Sequence, residues 1–267
     1  MTADSVRLTS VHRRAAHIMG MPISLALRGR HVADVAAEEA WQEALAELDR
    51  ADRMFSTYRD DSVVSKLDRG VLGIDDCTDE VMEVLALGER ARLESGGAFD
   101  VRRPDPGGVE HLDPSGVVKG WAVDRAAKLL RRLPDTDFCL SAGGDMVCHT
   151  VTGAPPWRVG IEDPHQPSGI VAMVPVANGA VATSGLVHRG AHVVDARTGR
   201  VPTALASVTV VGPDLVWTDI DATAAFALGA EAAAWLRSRG RTALLVWADG
   251  DRTLIDPGTP APNNSSD

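Results

Sequence analysis

The chain has few aromatic residues, few cysteines and no excess of positive charge. Aromatic side chains make up 4% of its 267 residues, and Tyr58 is the single tyrosine. The net charge is −10, and the chain lacks the excess of basic residues that nucleic-acid binding requires, so we expect no nucleic-acid partner. Three widely spaced cysteines favour neither a disulfide framework nor a metal cluster, and each is interpreted as a small buried side chain.

Long apolar runs are also missing. No stretch reaches the roughly 18 apolar residues of a membrane-spanning helix. The polar N-terminal segment lacks the apolar core of a signal peptide, and no lipobox cysteine is present. We therefore expect a cytoplasmic protein without a membrane span. Hydrophobic residues at 45% and charged residues at 24% are ordinary for a globular chain.

Helical and strand-like segments alternate without a regular period. Apolar spacing predicts helices over residues 33–53, 79–94, 119–133 and 217–237, the last in two pieces around Gly229. A hairpin turning near Met21 and Pro22 precedes them, loops are expected at 57–68 and 102–117, and short strands, one of them at 192–194, fill much of the remainder. We expect an α+β fold with mixed sheets covered by helices, forming one domain over residues 1–256 with a disordered tail at 257–267.

One acid and one hydroxyl stand four residues apart in an apolar helical segment. On a helix, Asp219 and Thr223 lie on the same face, one turn apart. A carboxylate and a hydroxyl placed in this way can hold a hard cation such as Mg²⁺ through oxygen. The alternative is a helix cap at Asp219 with a backbone-bonded Thr223. Asp221 lies off this face and is interpreted as a solvated or supporting group.

Three further segments carry candidate chemistry. The glycine loops at 95–100 and 141–145 can let a ligand approach the main chain or cradle an anion, or they can be a helix C-cap and a hairpin turn. Lys119, expected at a helix start, is a candidate phosphate ligand or a solvated lysine. His192 has the best surroundings for a general base among the eight histidines, although a structural histidine is the alternative.

The usual nucleotide and hydrolase motifs are absent. The sequence contains no glycine-rich dinucleotide fingerprint, no Walker A run and no nucleophile elbow. Ser184, which follows an apolar segment, is therefore interpreted as a turn residue or a ligand contact.

Nine short segments, taken in order, resemble the ApbE family, the FAD:protein FMN transferases. The segment at 157–164 reads WRVGIEDP, and departures such as Arg102, Arg103 and Ser141 remove no expected metal-binding side chain. The matching segments cover residues 19–22, 56–62, 95–100, 113–124, 141–145, 157–164, 182–185, 192–199 and 219–223.

The resemblance implies a specific reaction and a set of residues. Members of this family move FMN from FAD onto a threonine or serine hydroxyl of an acceptor flavoprotein, release AMP and require Mg²⁺. The family pattern places metal ligands at Asp219, Thr223 and the main chain of Gly116, and the base at His192. It places the flavin pocket at Met19, Tyr58, Ala98, Phe99, Asp100, Asp113, Lys119 and Val194.

Two other functions remain open. An FAD pyrophosphatase would use the same metal and phosphate groups, with water replacing the acceptor hydroxyl. A flavin-binding protein without turnover would not need the full set of four residues, which is Asp219, Thr223, Lys119 and His192.

Overall fold

A central sheet of eight strands forms the frame of the molecule. The computed structural model describes residues 10–104, 107–151, 153–166, 168–186 and 193–257. In sheet order, the strands are β1-β2-β5-β6-β9-β10-β11-β12. Their bounds are β1 (His12–Ile18), β2 (Met21–Gly29), β5 (Thr136–Ala142), β6 (Asp145–His149), β9 (Gly179–Gly185), β10 (Leu205–Gly212), β11 (Thr242–Trp247) and β12 (Arg252–Ile255).

Two strand pairs lie outside this sheet. The strands β3 (Arg102–Pro104) and β4 (Glu110–Leu112) form a short hairpin, and β7 (Trp157–Glu162) pairs with β8 (Ile170–Val176). Every strand pair in the described residues is antiparallel, so the expected mixing of parallel and antiparallel strands is not found there.

The first hairpin shows how the sequence specifies a strand. In β2, the buried residues Met21, Ile23 and Leu25 alternate with exposed ones, which is the period of a strand with one face on the core. The turn lies at Met19 and Gly20, both with positive φ, rather than at the expected Met21 and Pro22. Residues with positive φ suit the tight turns that match the twist of a hairpin.

Six helices cover one face of the sheet or its edges in the described residues. Their bounds are α1 (Val35–Phe55), α2 (Val63–Asp68), α3 (Asp79–Glu94), α4 (Ser115–Leu130), α5 (Leu215–Leu228) and α6 (Ala232–Ser238). Helix α5 is buried around most of its circumference because it packs against α4, β9 and β10. Within the described residues, no helix has the combined length and apolar character needed to cross a bilayer.

Part of the opposite face of the sheet is covered by the β7–β8 hairpin. Val159 and Val176 of this hairpin form a small buried cluster with Cys148 and Val181 of the sheet. The hairpin therefore creates a second, thinner apolar layer, and residues of β7 form one wall of the cavity described below.

The predicted α+β class is confirmed, with several boundaries corrected. Helix α4 begins four residues before the expected start at Lys119, and α2 lies inside the expected loop at 57–68. The break of the last helical segment after Leu228 agrees with the prediction at Gly229. Val193 and Val194 are not in a strand, while His192 and residues 258–267 lie outside the described residues.

Candidate active site

A cavity of about 270 Å³ opens between α4, α5 and the β7–β8 hairpin. The turn between β5 and β6 and the end of β9 complete its walls. Four of the predicted metal and flavin-site residues line it together: Gly116, Lys119, Asp219 and Thr223. The first two come from α4 and the last two from α5, so the crossing of these helices assembles the site.

Asp219 and Thr223 lie on the cavity side of α5. The Asp219 side chain is 2% exposed, and the hydroxyls of Thr223 and Ser184 are 3.0 Å apart. The N-cap of α5 is Asp214, whose carboxylate accepts the Trp217 N–H at 2.8 Å. Because Asp214 already fills that role, Asp219 is not needed as a cap, and its carboxylate faces the cavity.

Lys119 bridges two buried carboxylates. Its Nζ lies 2.5 Å from Asp145 Oδ2 and 3.1 Å from Asp219 Oδ1. Burial opposes the charged form of Lys119, but the two carboxylates outweigh this and raise the pKa of the ammonium well above its usual range. The expectation of a lysine at a helix start is wrong, because Lys119 lies one turn inside α4.

Asp145 joins this site through Lys119, although the sequence interpretation named it only as the end of the glycine loop at 141–145. It is 1% exposed, and its Oδ1 accepts the Thr183 N–H at 3.0 Å. Gly143 and Gly144, both with positive φ, form the tight turn that precedes it. The available signal was an acid directly after a glycine pair; its partner Lys119 could not be identified from the sequence.

The donor set fits a hard cation. Asp145 and Asp219 carry two negative charges against the single positive charge of Lys119, so these three groups leave one negative charge at the cavity wall. Thr223 and Ser184, which carry hydroxyl groups, and Gly116 also line the cavity. No group of three or more His, Cys, Asp or Glu side chains suited to a metal occurs among the described residues. A site with one or two carboxylates is typical of Mg²⁺, which keeps several waters.

The glycine loop at 95–100 packs behind the start of α4. Its glycines end α3, because the Gly97 N–H donates to Arg92 O at 2.8 Å. A Cβ at Gly116 would lie 3.0 Å from Phe99 Cε2, so the Phe99 ring contacts the first turn of α4. The Ala196 N–H donates to Ala98 O at 3.1 Å and joins this loop to the segment after Val194.

Among the described residues, the remaining predicted ones are not in the lining of this cavity. Asp113 Oδ1 accepts the Ser115 N–H at the start of α4, and Asp100 Oδ1 accepts the Arg102 N–H. Tyr58 is 98% exposed. Ala98 and Phe99 are buried, Met19 and Val194 are partly buried, and His192 lies outside the described residues.

Asp221 is fully buried, which corrects its interpretation as a solvated group. Its two carboxylate oxygens accept hydrogen bonds from Arg239 Nε at 2.8 Å and Arg241 Nε at 2.5 Å. Arg239 also donates to Glu94. This network lies between α3, α5 and the segment after α6, so Asp221 fixes the position of α5 from the side away from the cavity.

Comparisons with known proteins agree with the resemblance in the sequence. The model of the ApbE family matches residues 19–103 and 102–246. A Klebsiella pneumoniae protein named FAD:protein FMN transferase is 26% identical over 85% of this chain and 84% of its own length. An Escherichia coli K12 protein of the same name is 31% identical over 55% of this chain, and that match covers 46% of the E. coli protein.

Solved structures show the same fold. The ApbE protein of Thermotoga maritima has a TM-score of 0.80 at 19% identity, and the match covers 93% of this chain and 98% of that one. The flavinyl transferase ApbE of Pseudomonas stutzeri has a TM-score of 0.77 at 22% identity, covering 92% and 95%. With the family match extending over most of the sequence, the chain belongs to the ApbE family.

Proposed function

We propose that this chain is an Mg²⁺-dependent FAD:protein FMN transferase that moves FMN from FAD onto a threonine or serine hydroxyl of an acceptor flavoprotein and releases AMP. The observation that carries the proposal is the convergence of two distant sequence segments on one cavity. Gly116 and Lys119 of α4 line the same cavity as Asp219 and Thr223 of α5. Relatives with matching sequences are named for this reaction.

Mg²⁺ would be held by Asp219, Thr223 and the main chain of Gly116. When bound, it supplies positive charge that neutralises the pyrophosphate of FAD. The excess negative charge of the Asp145, Asp219 and Lys119 group supports binding of a cation there. The nearby Ser184 hydroxyl, 3.0 Å from that of Thr223, orients the threonine side chain.

Lys119 would place a fixed positive charge beside the phosphates. Its ammonium is held between Asp145 and Asp219, so little reorganisation is needed when an anion enters. Phosphoryl transfer depends mainly on such positioning and charge stabilisation.

His192 would accept the proton of the acceptor hydroxyl as its oxygen attacks the FMN phosphorus and AMP leaves. Support comes from Val193, the following residue, which lines the cavity. Met19, Tyr58, Ala98, Phe99, Asp100, Asp113 and Val194 would contribute to the flavin pocket. The exposed Tyr58 ring is free to stack on a flavin or adenine ring.

We also propose that residues 1–256 act as one domain in the cytoplasm. The proposal of a single domain is supported by the central sheet, because β1 and β12, which lie near opposite ends of the sequence, belong to the same eight-stranded sheet. Three free cysteines are compatible with a reducing compartment. Limited proteolysis tests the domain, and cell fractionation tests the location.

The reaction is tested by incubating the protein with FAD, Mg²⁺ and a candidate acceptor flavoprotein, with EDTA as the control. Mass spectrometry of the acceptor and chromatography of AMP are the measurements. A gain of one FMN with equimolar AMP, abolished by EDTA, is expected. AMP and FMN without acceptor modification would identify a pyrophosphatase, and bound flavin without either product would identify a binding protein.

A further inference from the structure

A pair of thiols faces each other on the sheet face that the helices do not cover. Cys139 of β5 and Cys148 of β6 are paired in register, and their Sγ atoms are 3.7 Å apart. Both are free thiols. Neither residue lines the cavity described above, so the proposed transfer reaction does not account for them.

The register places the two cysteines at a position that suits a cross-strand disulfide. Ala142 and Asp145 flank the two-residue turn and form a hydrogen-bonded pair, and such pairs alternate with non-hydrogen-bonded ones along the strands. Cys139 and Cys148 lie three steps further and are therefore a non-hydrogen-bonded pair. Cα atoms in such pairs are about 4.5 Å apart, within the range of about 4.4–6.8 Å that disulfides use.

We propose that Cys139 and Cys148 form a reversible disulfide, with Cys139 as the attacking thiol and Cys148 as the resolving thiol. Side-chain rotation is sufficient to close the sulfur atoms from 3.7 Å to a bond of about 2.05 Å. The strands are already paired on both sides of the cysteines, so the bond requires no change of register.

The surroundings distinguish the two thiols. Cys139 is partly exposed and Cys148 is fully buried. The Cys148 thiol donates to Cys139 and the Arg28 guanidinium adds positive charge, which lowers the pKa of Cys139 against the opposing effect of burial. The same interaction raises the pKa of Cys148. Arg28 is itself held by Asp137 Oδ2 at 2.7 Å.

The oxidant is a small disulfide such as oxidised glutathione. The Cys139 thiolate attacks one of its sulfur atoms, forms a mixed disulfide and releases one glutathione thiolate. Cys148 then loses its proton to solvent and attacks the Cys139 sulfur, which expels the second thiolate. Two electrons pass from the protein thiols to the reagent, whose S–S bond breaks as the protein bond forms, and excess dithiol reverses the reaction.

The test exposes the native full-length chain to oxidised glutathione and measures intact mass and non-reduced peptides. Loss of two hydrogens, with a peptide joining Cys139 to Cys148, is expected, together with a higher midpoint of thermal unfolding. Cys148→Ser should instead retain one glutathione on Cys139. Cys139→Ser should leave Cys148 unmodified in the folded protein.

Cys77→Ser is the matched control, because Cys77 is the third thiol and lies on a separate segment. This variant should form the internal bond at the wild-type rate. Far-UV circular dichroism establishes that each variant is folded. Glutathione found on Cys77 alone, or a joined peptide formed only in denaturant, would overturn the proposal.

Discussion

At the scale of single residues, the candidate site depends on one ammonium group that is shared by two carboxylates. Asp145 and Asp219 are almost completely buried, and both contact the ammonium of Lys119. Removing Lys119 leaves two carboxylates without their ammonium, and removing either aspartate takes away one of the two partners of Lys119, so each substitution has an effect on binding and on folding. Isosteric changes and measurements of both properties are therefore needed to separate the two effects.

Asp219→Asn tests the proposed metal ligand with almost no change of shape. We expect kcat/KM to fall on the order of 100-fold or more at saturating Mg²⁺, because a neutral amide is a much weaker ligand than a carboxylate. Steady-state AMP release against Mg²⁺ concentration is the measurement. Asp214→Asn is the control on the same helix, since asparagine also caps helices. Equal Mg²⁺ dependence in both variants would contradict the assignment of Asp219.

Asp221→Asn tests a structural role for the neighbouring acid. The change removes the charge of a fully buried carboxylate and replaces one of its two oxygens, which accept from Arg239 and Arg241, by an NH2 group that cannot accept. We expect the free energy of unfolding to fall by about 3 kcal/mol, measured by urea denaturation. Asp61→Asn, in an exposed pair with Arg59, should leave it near the wild-type value. A similar small effect at Asp221 would show that its pairs contribute little.

At the scale of elements, one close helix crossing assembles the site. A Cβ on Gly120 of α4 would lie 2.8 Å from Leu215 O in α5. One turn later in α4, Asp124 Oδ2 accepts the N–H groups of Leu215 and Val216 at 2.8 and 3.0 Å. These two contacts hold the start of α5 against α4, and this places Lys119 beside Asp219.

Gly120→Ala should separate α4 from α5. We expect a loss of about 1–3 kcal/mol in unfolding free energy and a larger relative loss of transferase activity, because small displacements of reacting groups are costly. Urea denaturation and initial rates are the two measurements. Lys128→Ala, an exposed change on the same helix, should leave both near wild type. Full activity in Gly120→Ala would show that the site tolerates a wider crossing.

At the scale of the whole molecule, several carboxylates are stabilised in their charged form by folding. The Ala37 N–H lowers the pKa of Asp34, His111 lowers that of Asp68, and Arg197 lowers that of Asp195. Each folded pKa lies below the ordinary value of 3.8. Their stabilising contributions are therefore complete above that pH and disappear as the pH falls through the folded values.

Thermal unfolding should reveal this linkage. We expect the midpoint to change little between pH 7 and 5 from these groups and to fall steeply below about pH 4. Asp195→Asn should reduce the steepness, because it removes the carboxylate that Arg197 binds through both oxygens. Glu39→Gln, which removes one charge from the exposed face of α1, is the control. An unchanged acid slope in Asp195→Asn would exclude this pair as a contributor.

Local patterns predicted much of the fold. Helix α3 was predicted with its observed bounds, and α1 within two residues, because apolar spacing and caps act over neighbouring residues. The start of α4 was missed because Pro114 and Gly116 indicate a loop, and the N-cap Pro114 makes no side-chain hydrogen bond. The turn of the first hairpin was misplaced because Met19 adopts a positive φ that its residue type does not indicate.

The sequence by itself determined that Asp219 and Thr223 share one helix face, since four residues advance an α-helix by about one turn. Only the tertiary structure decided what faces them. Asp145 joins Lys119 and Asp219 because the β5–β6 turn, α4 and α5 meet at one cavity. Burial at that meeting point strengthens the attraction between the Lys119 ammonium and the two carboxylates, because little water is present to screen their charges. The spacing of residues along the chain determines which side chains share a face of one helix or strand, whereas the packing of elements distant in sequence determines which charged side chains become partners.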